Sequence, residues 1–368
     1  MSTPPNGIPP AAALVRTKHC RTTREFLAAL SPRGRQFPSM QPGEWIFRGH
    51  QDDTYELIPS ALRASSKEFE SLTYHSPKTN ADQLFVEREL LETFLKVSDS
   101  IGLNLPEDTQ QLRQILQQTD YSEAWPRPEV LSLMALAQHH GVPTRLLDWT
   151  RHPLKAALFA ARSASYNPTQ SGLLSVWAFS VGVFGMLNAE TPFTVVTAPA
   201  ATNSNLRAQE GLFTLAKHIK RDQSPVDRRP FDELLRAFSE ENELKVVGAA
   251  RYWFHRITLP QRLSHQLLYD LALEGITEAT LHPDFYGVVR AMKDAVRWTK
   301  CGPGKERIEG YIKDFSISHK TTIDQTELML RLRPPPPAPQ TALSTLDLKL
   351  AAKYFVRTPG LEDTTMSF

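Results

Sequence analysis

Cysteine is almost absent from this sequence, with only Cys20 and Cys301 among 368 residues. Two distant thiols cannot form a disulfide framework, and they lack the paired spacing of a cysteine-based zinc site. A charge excess of one sign is also missing, because 42 basic residues are set against 40 acidic residues. Such a balanced chain gives no sign of a general nucleic-acid or membrane surface.

Long hydrophobic runs are lacking too. No stretch approaches the roughly 20 apolar residues that are needed to cross a bilayer, and the first residues show no secretory pattern. The two unpaired thiols fit a reducing compartment. We therefore expect a cytoplasmic protein that does not associate with membranes.

Proline and glycine make up five of the first ten residues. We interpret residues 1–20 as a flexible N-terminal arm. The run from Pro334 to Pro337 favours a stiff polyproline II segment, and residues 334–368 are interpreted as a Pro-rich linker and tail. The predicted domain lies between them at residues 21–300, and residues 301–333 extend it.

Strand-like and helix-like patterns alternate irregularly along the domain. Short strands are predicted at Trp45–Phe47, Arg145–Trp149, Leu173–Val181, Phe193–Thr197, Gly211–Leu215 and Ile276–Leu281. Helices are predicted at Thr22–Leu30, 80–120, Pro128–His140, Leu154–Ala164, Pro230–Ser239, Gln261–Glu274 and Pro283–Ala295. Short strands between helices of unequal length favour an α+β fold. We predict a single large domain with a twisted or split small β-sheet, and a mainly helical insertion at about 65–140.

The first polar segment is Trp45-Ile46-Phe47-Arg48-Gly49-His50, which ends a buried strand on Arg-Gly. The rigid donor fork of Arg48 suits a phosphate or a carboxylate. Gly49 would let backbone or ligand approach closely. The alternative is a structural arginine that is tied to a nearby carboxylate, and spacing leaves both interpretations open.

The second polar segment surrounds a helix stop at Gly141. It contains His139, His140, Arg145, Asp148, Trp149 and Thr150. Two His and an Asp would suit a metal-dependent nuclease, but adjacent His residues on a helix point in different directions, so we expect no metal. Capping of the last helix carbonyls by His and Arg is a simpler explanation, but it leaves Asp148 to Thr150 unexplained.

The third polar segment places Gln209 and Glu210 directly before the predicted strand that starts at Gly211. Because side chains alternate along a strand, one of the two should face the same side as the inward groups of the strand. A solvated strand start is the alternative. The segment from His282 to Gly287 is interpreted as a structural turn.

Together these segments resemble the FRG-domain family, which is named for a Phe-Arg-Gly motif. The similar stretches are Trp45 to Gly49 with Leu57 to Arg63, then His139 to Thr150 with Pro153 and Ala156 to Ala160, and then Gln209 to Phe213. The resemblance covers about Gly43 to Ala295, and His282 stands where the family pattern suggests Phe. The family name implies no particular reaction.

The order of the motifs is also similar to that of ADP-ribosyltransferases of the arginine–serine–glutamate class. That resemblance implies an ADP-ribosyltransferase-like sheet, NAD as co-substrate, and Arg48 as the residue that holds the NAD pyrophosphate. Trp149 would stack on nicotinamide. The other cofactor-binding residues would be Gly49, His140, Arg145 and Thr150, and the catalytic residues would be Glu210, Gln209 and Asp148.

This sequence departs from that class at two places. Asp148-Trp149-Thr150 replaces Ser-Thr-Ser, and Gln209 stands at the aligned Glu position, with Glu210 one residue out of phase. The implied function is NAD-dependent ADP-ribosyl transfer to a protein or nucleic acid, in a toxin or an anti-phage defence effector. The alternative is a non-catalytic module of the same fold that binds a nucleotide or a protein.

Overall fold

The computed structural model describes residues 15–31, 37, 43–63, 67–105, 107–118, 124–186, 191–197, 204–217, 223–242 and 253–301. The chain divides into two units, Met1–Trp298 and Thr299–Phe368, and nearly all described residues belong to the first. The first fourteen residues of the predicted arm, the predicted extension after residue 301 and the predicted Pro-rich tail lie outside the described residues.

Seven strands form one continuous sheet. They are β1 (Val15–His19), β2 (Trp45–His50), β3 (Leu146–Thr150), β4 (Leu173–Ser180), β5 (Phe193–Val196), β6 (Gly211–Ala216) and β7 (Phe254–Pro260). Their order is β1-β7-β4-β2-β3-β6-β5. β1 runs parallel to β7, and every other neighbouring pair is antiparallel. The predicted mixture of helices and a sheet is confirmed, but the sheet is larger than predicted and is not split into two.

Helices cover both faces of this sheet. They are α1 (Thr23–Leu30), α2 (Lys67–Leu72), α3 (Asn80–Ser100), α4 (Gln110–Gln117), α5 (Leu131–His139), α6 (Pro153–Tyr166), α7 (Ser204–Ala208), α8 (Phe231–Glu241), α9 (Ser264–Leu273), α10 (Glu278–Leu281) and α11 (Phe285–Cys301). Helices α2 to α5 form the helical segment between β2 and β3. Within the described residues, no helix is both long enough and apolar enough to cross a membrane.

Three elements differ from the sequence-based prediction. Val15–His19 belongs to the sheet as edge strand β1, although it was assigned to the flexible arm, because its mostly exposed polar side chains hide the strand pattern. Strand β7 was not predicted, although it lies between β1 and β4. The predicted strand at Ile276–Leu281 is mostly helix α10, whose start is closed by a hydrogen bond from Thr277 N to Thr280 Oγ1 at 2.9 Å.

The sheet has a hydrophobic core on each face. Helices α1, α6 and α9 pack on one face, where Phe47 and Ile257 are fully buried. Aromatic residues dominate the other face, and the rings of Phe179 and Phe254 stack there with centroids 4.5 Å apart. Burial on both faces explains why β4 is apolar along almost its whole length.

Glu87 of α3 is a buried carboxylate that joins the helical segment to the sheet. It accepts hydrogen bonds from Arg145 Nε at 2.7 Å and Arg145 Nη2 at 2.8 Å. Trp125 Nε1 and Gln83 Nε2 donate to it at 3.0 and 2.9 Å. A carboxylate that is 2% exposed is stable only with such a full set of donors. Because Arg145 directly precedes β3, this pair sets where β3 begins.

We therefore expect Glu87→Ala to lower the free energy of unfolding by about 3–5 kcal/mol, since it leaves the Arg145 guanidinium buried without its partner. Urea unfolding monitored by circular dichroism measures the loss. Glu240→Ala is the control, because it removes the exposed i,i+4 pair with Arg236 and should cost less than about 0.5 kcal/mol. Equal losses for the two variants would contradict the role of Glu87.

Candidate active site at the joint between two strands

The joint between β2 and β3 is the weakest in the centre of the sheet. These strands pair only at Phe47 and Thr150, whereas β2 pairs with β4 along its whole length. Beyond that pair the strands separate, and the side chain of Arg48 fills the opening. Its Nη1 donates to the backbone oxygen of Asp148 at 2.8 Å and lies 2.7 Å from Asp148 Oδ1. Arg48 thus replaces the missing ladder bond and adds an ion pair.

A neutral histidine holds the other side of the Arg48 guanidinium. Arg48 Nε donates to His50 Nε2 at 2.9 Å, which places the His50 proton on Nδ1, 3.2 Å from the backbone oxygen of Tyr55. Burial, and then the Arg48 charge, lower the pKa of His50 to about 3. Among the described residues, nothing accepts a hydrogen bond from Arg48 Nη2. Arg48 is therefore a fixed cation with one uncommitted donor nitrogen.

Asp148 receives a second donor from the end of α5. Gln138 Nε2 donates to Asp148 Oδ1 at 3.3 Å, and Thr144 Oγ1 donates to Gln138 Oε1. Thr144 Oγ1 in turn accepts from Leu146 N at 3.1 Å. A continuous polar chain thus runs from Tyr55 through Arg48 and Asp148 to the start of β3. The sequence analysis did not single out Gln138, since a lone Gln at a helix end carries no pattern.

Two opposing influences act on the pKa of Asp148, whose side chain is 65% exposed. Desolvation, which raises that pKa, is the largest single influence. The charge and hydrogen bond of Arg48 outweigh desolvation and hold the pKa of Asp148 below its ordinary value. Asp148 is therefore an ionised carboxylate that solvent can reach.

Gln209 and Glu210 diverge at the start of β6. Glu210 has a φ of +50°, a left-handed conformation that is uncommon for a residue with a side chain. Its Oε1 lies 2.8 Å from Lys155 Nζ. Gln209 Nε2 lies 3.1 Å from His282 Nε2, and the Gln209 backbone oxygen accepts from Thr150 Oγ1 at 2.7 Å. The backbone turn at Glu210 therefore sends the two side chains to different partners.

His282 lies close to the end of α5. Burial, and then the charges of His140 and His282, lower the pKa of His139. His139 directly follows Gln138, which contacts Asp148. Two hydrogen-bonded pairs, Gln138 with Asp148 and Gln209 with His282, are therefore linked through His139, although sequence analysis treated His282 as part of a turn.

Three residues that were predicted to contact the cofactor instead bind other parts of the protein. Arg145 is bound to Glu87 inside the protein. Trp149 is 3% exposed and donates from Nε1 to Thr214 Oγ1 at 2.8 Å, so it has no free face on which nicotinamide could stack. Thr150 is buried and ties β3 to the turn before β6. His140 stays exposed, and its ring stacks near Phe94.

Gly49 serves helix packing and not ligand approach. A Cβ atom at this position would overlap the backbone oxygen of Ala156 and lie 2.9 Å from Ala160 N. Helix α6 can press its backbone against β2 because it presents buried alanines at this contact. In this Arg-Gly pair, Arg48 therefore bridges to β3, and Gly49 leaves room for the backbone of α6.

Residues 43–168 match the family model of the FRG domain. The chain contains an FRG domain. It spans β2 to α6 and includes Arg48, Gln138 and Asp148, whereas Gln209, Glu210 and His282 follow it in sequence. Neither a curated protein nor a solved structure gave a significant match to the chain.

The nuclease hypothesis finds no support in the described part of the chain. There, no group of three or more His, Cys, Asp or Glu residues is arranged to hold a metal ion. His139 and His140 place their rings 82° apart with centroids separated by 5.2 Å.

We expect Gly49→Ala to destabilise the FRG domain by about 3 kcal/mol or more, because the added methyl group meets the α6 backbone and no flexible side chain can yield. Gly182→Ala is the matched control, since its nearest neighbour would be Ser180 Oγ at 3.5 Å. Thermal unfolding compares the two. A loss for Gly49→Ala no greater than that for Gly182→Ala would contradict the close approach of α6.

The lowered pKa of His50 predicts loss of stability in acid. His50 is protonated in the unfolded chain below a pKa of about 6.5 but stays neutral in the fold down to about 3. Its contribution is fully present above pH 6.5 and is lost progressively as the pH falls towards 3.

Between pH 7 and pH 4.5, His50→Gln should therefore lose about 2 kcal/mol less unfolding free energy than the wild type. Chemical unfolding at several pH values measures the difference. Some acid sensitivity should remain in the variant, because burial also lowers the pKa of His255 to about 4. Parallel pH profiles for the two proteins would contradict a neutral His50 in the fold.

Proposed function

We propose that this FRG-domain protein binds NAD in the cleft at the β2–β3 joint and transfers ADP-ribose to a protein or nucleic acid. The observation that supports it most is the Arg48 guanidinium, which is fixed by His50 and Asp148 and keeps Nη2 uncommitted. A cation that is already ordered binds a phosphate without losing further side-chain freedom. When the ligand binds, Asp148 would release Arg48 Nη1 to the phosphate, or it would accept a hydrogen bond from a hydroxyl group of the ligand.

The strand register sets the size of ligand that this cleft would suit. Phe47, Thr150 and Gly211 form one row across β2, β3 and β6. Arg48 lies one residue to one side of that row, and Glu210 lies one residue to the other side. Two strand spacings alone then separate their Cα atoms by about 10 Å or more. That separation favours an extended dinucleotide over a single phosphate ion.

Glu210 is the carboxylate that supports transfer chemistry. In ADP-ribosyl transfer, positive charge develops on the ribose as nicotinamide leaves, and a fixed carboxylate stabilises it. Glu210 is half exposed, is oriented by Lys155 and sits on a strained backbone turn. Strained conformations of this kind cluster at functional sites, since the surrounding structure must hold them in place.

A second candidate function is nucleotide binding without turnover. It is favoured by the ion pair between Lys155 and Glu210, which already neutralises the carboxylate. Gln209 stands at the position that aligns with a catalytic Glu, and it is hydrogen-bonded to His282. In this case the cleft would recognise NAD or a related nucleotide and signal its presence to a partner.

Glu210→Gly separates the two functions. We expect its thermal stability to be retained or raised by up to about 1 kcal/mol, because Gly adopts positive φ without strain. Nicotinamide release in cell lysate should fall by roughly 10²–10³-fold, since the carboxylate is gone. NAD binding measured by calorimetry should remain. A loss of activity without a loss of stability cannot arise from misfolding.

Two variants control this experiment. Gln209→Ala should be milder than Glu210→Gly, and the opposite ranking would make Gln209 the catalytic side chain. Arg48→Lys should weaken NAD binding strongly, because an ammonium keeps the charge but loses the fork. Binding without nicotinamide release in the wild type would support the second candidate. No NAD binding by the wild type would contradict the transferase proposal and would restrict the second candidate to a related nucleotide.

A further inference from the structure

His282 lies between a buried carboxylate and the side chain of Gln209. Its Nδ1 is 3.3 Å from Glu278 Oε2, and its Nε2 is 3.1 Å from Gln209 Nε2. The side chain is only 13% exposed. Gly287 of α11 packs directly against the His282 backbone, where a Cβ atom would overlap. The imidazole thus lies between Glu278 and Gln209, with Nε2 on the Gln209 side.

Glu278 is an unusual partner, because its side chain has no exposed surface. Desolvation raises its pKa, but His282 and the charges of Arg162 and Arg290 outweigh it, so the pKa lies below the ordinary value. The Nε atoms of Arg162 and Arg290 are 3.5 and 3.0 Å from its oxygens. Neither oxygen of Glu278, nor His282 Nδ1 opposite it, makes a well-aligned hydrogen bond in this geometry. The Glu278 carboxylate therefore acts on His282 through its charge at 3.3 Å.

The other charged groups at this point do not compete for His282. Asp294 lies 3.3 Å from Arg162 and 3.0 Å from Arg297. Among the described residues, His139 at the end of α5 is a further titratable group close to His282. The negative charge of Glu278 therefore favours the His282 tautomer that carries its proton on Nδ1, the nitrogen beside this carboxylate. Nε2 keeps its lone pair, which the Gln209 amide engages as a donor.

We propose that His282 Nε2 is the proton acceptor of this cleft, with Glu278 as its positioning residue. The inference rests on the proposed function and adds the group that activates the acceptor. The acceptor O–H or N–H gives its proton to His282 Nε2 as its heteroatom bonds to the ribose C1′ atom. The bond from C1′ to the nicotinamide nitrogen breaks, and its electron pair leaves with nicotinamide.

The same geometry explains why an amide side chain at position 209 would suit this site. A Glu at this position would place a carboxylate beside Nε2 and would draw a proton to that nitrogen. Gln209 supplies an amide donor instead, which keeps Nε2 unprotonated until an acceptor replaces it. The departure from the aligned Glu therefore fits a site in which His282 takes the proton and Glu210 supplies the charge.

The tautomer of His282 tests the proposal without any activity assay. The full chain is prepared with ¹⁵N-labelled histidine, and long-range ¹H–¹⁵N spectra are recorded near neutral pH, with His282→Gln used to assign the signal. We expect a proton on Nδ1 and a bare Nε2 in the wild type. Gln209→Glu should put a proton on Nε2, and Gln209→Leu should leave it bare.

Glu278→Gln should lower the fraction of His282 with the proton on Nδ1, which a purely structural carboxylate would not affect. Its fold is checked by thermal unfolding, and Gln209→Glu supplies an independent readout if it is unstable. A wild-type His282 that carries its proton on Nε2 would overturn the proposal.

Measurements of ADP-ribosyl transfer and of NAD binding distinguish failure of this proposal from failure of the function on which it rests. His282→Gln should lower transfer to lysate targets by roughly 10²–10⁴-fold while NAD binding is kept. Equal transfer by the variant and the wild type would overturn the role of His282. Absence of NAD binding in the wild type would instead contradict the proposed function, and the tautomer spectra would still decide whether His282 is held as a base.

Discussion

The bridge from Arg48 to Asp148 is the interaction on which the candidate site depends. β2 and β3 share one paired position, so the centre of the sheet would lack a ladder bond without Arg48 Nη1 on the Asp148 carbonyl. The same nitrogen neutralises the Asp148 carboxylate. One side chain thus closes the sheet and presents positive charge at its opening. The structural and ligand-binding interpretations of Arg48 are compatible, since Nη2 takes no part in the bridge.

The helical segment between β2 and β3 positions this bridge from outside the sheet. Glu87 holds Arg145, which fixes the start of β3, and α5 ends where Gln138 reaches Asp148. Helix α6 secures the opposite side by resting on Gly49. The contacts named here that hold Arg48 and Asp148 in place therefore all lie within the FRG domain. Glu210 and His282, for which roles in transfer chemistry are proposed, come from the following part of the chain.

Several features could be predicted from the sequence because they are local. The stop at Gly141 and Pro143, the apolar run of β4 and the alanines of α6 each follow from helix or strand geometry within a few residues. The motif residues Arg48, Asp148 and Gln209 were also identifiable, because polar groups next to buried strands form a short pattern. These signals need no knowledge of what packs against them.

Contacts between distant segments decided the rest. β1 belongs to the sheet through its pairing with β7. Its own residues are polar and show no strand pattern, so the pairing could not be predicted from them. Trp149 is hidden because the opposite core and Thr214 enclose it, and a motif alone does not reveal which face is covered. Gln138 and His282 contact residues of the candidate site that are 10 and 73 positions away in the sequence. The sequence by itself determined the elements and the polar motifs of this protein. Only the tertiary structure decided which side chains meet, because strand pairing and burial depend on partners that are remote in the chain.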